Sequence, residues 1–242
     1  TRRAVDKATK IITVSEFTKQ ELVSHFGADP ERIAVTHLAC DIPPHQADEQ
    51  IKEICVRLNL TRPYLLFVSR IDSRKNVSTL IAAFEELKRR KAFDGDLVLV
   101  GPVGFHGHAI LAKAAESPFA QAIHHVGWVS EEQKYALLRG AELFVFPSLY
   151  EGFGIAVLEA QSVGTAVVCS DSSSLPEVAG EGASYIDPKD VESITSGILT
   201  LLKNSDLRDH LIRKGYENCV RFSWKKTARM TLDVLQGMLA VH

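Results

Sequence analysis

The 242-residue chain has no apolar run of the roughly 20 residues that a membrane-spanning helix requires, and no charged, apolar and small-residue leader at its start. It has no surplus of either charge: 28 basic against 30 acidic residues leave −2, which gives no global reason to expect nucleic acid as a partner. Cysteine is sparse, and Cys40, Cys55, Cys169 and Cys219 form no C-x-x-C pairing. That spacing excludes the common zinc and redox patterns and predicts reduced, packed thiols in a cytoplasmic protein. Internal repeats and low-complexity tracts are absent as well. The chain opens on Thr1 rather than Met, in sequence that reads as the middle of a domain, so a piece of a longer protein is expected.

What is present is an ordinary globular composition, 45% hydrophobic and 24% charged. Short β-rich runs stand at 64–69 (YLLFVS), 96–101 (DLVLVG), 122–128 (AIHHVGW), 142–147 (ELFVFP), 165–170 (TAVVCS) and 183–187 (ASYID). Between them, apolar residues recur at spacings of three and four, as in Leu80, Ala83, Phe84 and Leu87, or Tyr135, Leu137 and Leu138. This alternation predicts an α/β fold, a Rossmann-like parallel sheet with helices on both faces. Ser130 followed by Gln133 fits a capping box, and Asp190 fits an N-cap.

Beyond about residue 190 the pattern is helical only. Its Lys203, Arg208, Arg213, Lys214, Arg221, Lys225, Lys226 and Arg229 read as solvated faces of closing helices. The alternative is a basic surface in peripheral contact with an anionic membrane at the cytoplasmic face. The first forty residues form a smaller α/β piece, strand 10–15, helix 16–27 and strand 33–38. The polar stretch after it, with Pro43 and Pro44, reads as a linker. The expected division is therefore 1–41, a linker over 42–62, and a main domain over 63–242.

Open parallel sheets bind ligands beyond the carboxyl ends of their strands. Residues that core packing does not explain fall there repeatedly. Arg70 ends the first strand of the main domain, and Asp72, Arg74, Lys75 and Asn76 follow it. Two cations at a sheet mouth beside a helix start favour phosphate; as surface cations they would need no ligand, and the sequence leaves both readings open. His106, His108, His124 and His125 invite a metal reading, but no Cys or Asp cluster accompanies them and they read as surface or loop histidines.

In YEGFGIAVLEA, residues 150–160, two glutamates flank a Gly-Phe-Gly at the junction of a buried strand and an apolar helix. Gly152 and Gly154 would let backbone approach a ligand closely. Glu151 and Glu159 would repel phosphate, which makes them candidate acceptors for the hydroxyl groups of a sugar. Helix capping by Glu151 and plain exposure of Glu159 remain the alternative, and spacing does not decide.

Several motifs together resemble a known family. FPSLYEGFGIAVLEA (146–160), the Ser-Arg strand end with Lys75 ahead of a helix, VGWVSEEQ (126–133) and SSSLPEVAGEGASYIDP (172–188) resemble the donor-binding half of retaining GT-B glycosyltransferases of family 4, whose signature is Glu-x7-Glu. ATKIITVSEFTKQEL (8–22) and PERIAVTHLACD (30–41) look like the end of that family's N-terminal acceptor domain. The resemblance implies the C-terminal half of a GT-B fold plus a small α/β remnant of the other half. It implies Arg70 and Lys75 on the donor diphosphate and the leaving group. Glu151, Gly152, Phe153 and Gly154 would lie on the donor sugar, Val129, Glu131, Lys134 and Ile155 beside the nucleotide, and Glu159 on the ribose. Arg70, Lys75 and Glu151 are thus the catalytic positions, without Glu151 being made a nucleophile.

The implied reaction is hexosyl transfer with retention, with no cofactor and no essential metal. The SSSLPEVAG segment favours GDP-mannose, and UDP-sugars stay open. A glycan or lipid-linked saccharide would be the acceptor, engaged by an acceptor domain ahead of Thr1 or by a partner chain. A non-catalytic nucleotide-sugar-binding subunit and a nucleotide-sugar epimerase are the competing readings.

Overall fold

The computed structural model describes residues 2–41 and 43–239; the expected limits at residues 1, 42 and 242 lie outside them. The chain begins with helix α1 (Arg2–Lys7), strand β1 (Ile11–Thr13), helix α2 (Glu16–Phe26) and strand β2 (Ile33–Val35). β1 and β2 pair in parallel as a separate two-stranded sheet. Ser15 caps α2 by accepting from the Thr18 amide, and Gly27 ends it in the left-handed region at φ 67°.

The stretch expected as a linker is not extended throughout. It carries helix α3 (Asp48–Arg57), which buries Cys55. Its polar composition concealed this because α3 sets only a narrow stripe against the main domain.

The main domain follows as β3 (Tyr64–Val68), α4 (Val77–Arg89), β4 (Asp96–Val100), α5 (Gly107–Ala115), β5 (Ile123–Gly127), α6 (Glu131–Gly140) and β6 (Leu143–Phe146). Next come α7 (Ile155–Ser162), β7 (Val167–Ser170), α8 (Leu175–Ala179), β8 (Ala183–Ile186), α9 (Val191–Lys203), α10 (Ser205–Cys219) and α11 (Trp224–Leu239). The six strands predicted for this domain are present, each shortened at one end or both. They form one parallel sheet in the order β5-β4-β3-β6-β7-β8. β4, β6 and β7 are buried along their whole length, as strands covered on both faces must be.

The order reverses at the centre. From β3 the chain winds outward through β4 to β5, and from β6 it winds the other way through β7 to β8. Right-handed crossovers then put α4 and α7 on opposite faces. α5 and α9 pack with α4, whereas α3, α6, α7 and α10 form the other layer. Between β3 and β6 the two following helices part to opposite faces, which makes a crevice at the middle of the sheet.

After residue 190 the described chain is helical, with Asp190 capping α9 through the Glu192 amide. α10 leads to α11, which returns to the first unit, where Thr227 Oγ1 donates to the His37 carbonyl at 2.5 Å. No side chain of α11 is fully buried, in keeping with solvated faces. Among the described residues, no helix is long and apolar enough to cross a membrane.

The Ser130 capping box is formed: the Gln133 amide donates to Ser130 Oγ at 3.2 Å, and the Ser130 amide donates to Gln133 Oε1 at 2.9 Å. Ser130→Ala is expected to cost about 1 kcal/mol and to lower the melting temperature by roughly 2–4 °C, read by thermal and urea denaturation.

Candidate functional site

The crevice between β3 and β6 is closed by two loops that grip each other. The loop after β3 holds a tight turn over Ser73–Lys75, capped by Asp72, which accepts from the Lys75 amide at 3.1 Å. Asn76 follows in the left-handed region at φ 60°, a conformation Asn tolerates better than most residues. Its side chain donates to the carbonyls of Pro147 at 3.1 Å and Pro188 at 2.6 Å, tying this loop to the ends of β6 and β8. In return the Leu149 amide donates to the Arg74 carbonyl at 2.9 Å.

This zipper brings Lys75 onto Glu151. The lysine Nζ donates to Glu151 Oε1, and both side chains are nearly buried, 10% and 8% exposed. Ser148 Oγ donates to the same oxygen at 2.6 Å, and Arg74 Nη1 stands 3.6 Å from the other. The ammonium also lies over the Phe146 ring, 5.2 Å from its centroid. An ion pair this deep is held by geometry and supporting hydrogen bonds rather than by charge alone. The sequence assigns Lys75 and Glu151 separate tasks; the fold places them in contact. Lys75 also stands outside the first turn of α4, because Asn76 separates them. Arg70 is exposed and lies along the backbone of Gly104, where an added Cβ would meet its Cδ at 2.4 Å.

The second glutamate has a lysine of its own. Lys134 Nζ donates to Glu159 Oε1 at 2.8 Å and to both oxygens of Glu131, at 2.9 and 2.7 Å. Burial opposes the charge on Lys134, but the Glu131 and Glu159 carboxylates outweigh it and raise its pKa. Glu159 is itself 15% exposed, while Glu131 is open to solvent. Val129 is half-buried just ahead of the α6 cap, and Ile155 is the first residue of α7, packed on the cluster around Phe153. The structure thus gathers Val129, Glu131, Lys134 and Glu159 around the start of α6, and Lys75 and Glu151 at the centre of the sheet.

The two glycines of the loop have different causes. Gly154 caps α7 at φ 94°, and a Cβ there would meet Leu175 Cδ2 at 2.5 Å, so the fold itself requires glycine. At Gly152 a Cβ would meet only Thr18 Oγ1, at 3.9 Å. Packing among the described residues does not demand glycine there. Serines missed in the sequence reading complete the loop. Ser174 Oγ contacts the Glu151 and Phe153 carbonyls, at 3.0 and 2.9 Å, and Ser173 Oγ accepts from the Glu151 amide at 3.0 Å. The signal available for them was the polar run 172–174 directly after a buried strand.

The histidines are dispersed. His124 Nε2 lies 3.1 Å from Asp96, His125 Nε2 lies 2.8 Å from the Gly101 carbonyl, and His106 and His108 are exposed at the start of α5. Among the described residues, no group of three His, Cys, Asp or Glu side chains is placed to hold a metal ion. The four cysteines are free thiols, Cys55 and Cys169 buried and Cys40 and Cys219 half-buried.

Gly152→Ala is expected to leave the melting temperature unchanged or slightly higher, whereas Gly154→Ala destabilises by more than about 1 kcal/mol. Lys75→Met strands the Glu151 carboxylate and is expected to cost about 3 kcal/mol, part of which the double variant Lys75→Met, Glu151→Leu recovers. Urea denaturation of the four proteins checks both statements.

Residues 49–218 match the family described as Glycosyl transferases group 1. The chain is 32% identical over 232 residues to O-antigen chain mannosyltransferase B of Escherichia coli, an alignment that covers 95% of this chain and 61% of that protein. It is also 32% identical to alpha-maltose-1-phosphate synthase of Mycolicibacterium smegmatis, covering 99% of this chain and 66% of that one. The chain therefore spans about three-fifths of the first of these relatives and two-thirds of the second. In three dimensions it superimposes on an Anabaena protein crystallised with UDP and glucose, at a TM-score of 0.83 and 16% identity, over 97% of this chain and 64% of that one. That likeness shows the fold, and the family match shows the lineage: the chain belongs to the glycosyl transferases group 1.

Proposed function

We propose that this chain is the donor-binding part of a retaining glycosyltransferase of family 4 that transfers a hexosyl group from a nucleotide-sugar, GDP-mannose in preference, to a glycan or lipid-linked saccharide. The observation that carries this reading is the buried Lys75–Glu151 pair beside Gly152 at the point where the sheet order reverses. A nucleotide-sugar offers a diphosphate to the cations and hydroxyl groups to the carboxylates. Diphosphate oxygens compete with Glu151 for Lys75, and Arg70 joins it, so that the departing charge faces two cations. Glu151, freed from Lys75, accepts hydrogen bonds from the sugar, and Glu159 accepts them from the ribose. The favoured chemistry is attack of the acceptor hydroxyl on the face the nucleotide leaves, with the departing phosphate oxygen taking the acceptor's proton. That route needs no metal and no nucleophilic Glu151. The acceptor is engaged by another part of a longer chain or by a partner.

The name of the Escherichia coli relative supports mannose, and the name of the mycobacterial relative keeps glucosyl donors in the test. Calorimetric titration of the purified chain with GDP-mannose, UDP-glucose and UDP-GlcNAc is expected to show binding of one of them, GDP-mannose most tightly. Absence of binding at millimolar concentration, with GDP and UDP also inert, would remove the basis of the proposal. In the complete transferase, Lys75→Ala is expected to lower kcat strongly and Glu159→Ala to act mainly on the donor KM; equal, negligible effects would contradict the assignment.

A further inference from the structure

The loop that carries Glu151 is held from outside the main domain as well as from within it. Ser15 Oγ donates to the Gly152 carbonyl at 2.7 Å, and Thr18 Oγ1 donates to the same oxygen at 3.2 Å. Ser15 is fully buried and caps α2 at the same time, its Oγ accepting from the Thr18 amide at 3.0 Å. The two residues lie 137 and 134 positions from Gly152, in the small unit that precedes the sheet.

The start of α2 is registered against the main domain by a second set of contacts. Glu177, on α8, accepts from the amides of Glu16 at 2.8 Å and Phe17 at 3.1 Å, two donors that a helix leaves without intrahelical acceptors. The same carboxylate meets His37 Nε2 at 2.6 Å. On the other side, the Phe17 and Tyr150 rings meet edge to face at 5.4 Å. The α2 terminus is thus pinned on both sides of the point where its hydroxyls reach Gly152.

Fixing that carbonyl has a stereochemical consequence. In a trans peptide the N–H points opposite to the C=O, and the peptide after Gly152 is trans. Holding the Gly152 oxygen against α2 therefore turns the Phe153 N–H away from α2. The neighbouring carbonyls, of Glu151 and Phe153, are already engaged by Ser174. Glycine on either side of Phe153 gives this segment extra backbone freedom, whose loss carries an entropic cost. The hydroxyls meet that cost before any ligand arrives.

We propose that Ser15 and Thr18 are positioning residues for the donor sugar: by clamping the Gly152 carbonyl they preset the Gly152–Phe153–Gly154 backbone that faces the hexosyl group, so the small N-terminal unit takes part in donor recognition without touching the nucleotide. This rests on the donor-binding reading above. The consequence is selective. Loss of the clamp weakens binding of the nucleotide-sugar and spares binding of the bare nucleoside diphosphate, which is held by Arg70, Lys75 and the α6 start.

The test compares the wild-type chain with Thr18→Val, which removes the hydroxyl at nearly constant volume, and with the double variant Ser15→Ala, Thr18→Val. Calorimetry measures GDP-mannose against GDP and UDP-glucose against UDP, and circular dichroism with thermal melting monitors the fold. For the donor the wild type prefers, the sugar-dependent gain in affinity is expected to fall about threefold in Thr18→Val and tenfold or more in the double variant, with the diphosphate affinity unchanged. Thr18→Ser and Ser15→Thr, which keep the hydroxyls, are expected to restore it. The proposal is overturned if the ratio of sugar-nucleotide to diphosphate affinity stays at the wild-type value in folded Thr18→Val and in the double variant, or if both ligands weaken equally. It is also overturned if the wild type binds diphosphate and nucleotide-sugar equally well. A wild type that binds none of the four ligands contradicts the donor-binding reading itself, a result distinct from these.

Discussion

A buried cation held against a buried carboxylate at the centre of a parallel sheet is the interaction on which the site depends. Lys75 and Glu151 come from loops that follow neighbouring strands, β3 and β6, yet lie 76 positions apart in sequence. The apolar sheet excludes water from their base, with Phe67, Phe144 and Phe146 packed in sequence beneath. Desolvation of either charge alone is prohibitive, so each fixes the other and the two loops are locked together. Asn76 and Ser148 make the same junction from the backbone side.

That arrangement gives the site a particular electrostatic logic. Both glutamates of the Glu-x7-Glu pattern neutralise a lysine, Glu151 with Lys75 and Glu159 with Lys134. A carboxylate in this setting keeps a neighbouring cation in place without surrendering its own capacity to accept hydrogen bonds. On the proposed reading, an anionic ligand exchanges with the carboxylates for the cations while its hydroxyls take the freed oxygens. The glycine at 152 belongs to the same logic, since it leaves open the surface that the carboxylate borders.

Much of this was legible in the chain. The six strands of the main sheet followed from short β-rich runs bounded by polar and glycine-containing segments, most plainly at β4, β6 and β7, because a strand buried on both faces must be apolar throughout. The α6 capping box and the Asp190 cap followed from local spacing. The helix over Asp48–Arg57 was not legible, since its polar surface and the two preceding prolines read as a connection. The exposure of Arg70 and the burial of Lys75 were equally hidden: both are cations in one short loop, and only the direction in which a turn projects each side chain distinguishes them. Ser173 and Ser174 stood in plain view as part of a polar run, but their hydrogen bonds to the Glu151 loop depend on where β7 ends relative to β6.

The sequence by itself determined the class of fold, the order of the main-sheet strands along the chain, and most of the residues gathered at the sheet mouth, because periodicity, caps and breakers act over a few residues. Tertiary structure alone decided which of those residues meet. The pairing of Lys75 with Glu151, the division of the two glycines into one required by the fold and one left open, and the reach of Ser15 and Thr18 across more than a hundred positions to Gly152 all arise from the reversal of strand order and the docking of α2. These depend on long-range packing, for which no local pattern of residues is a sufficient cause.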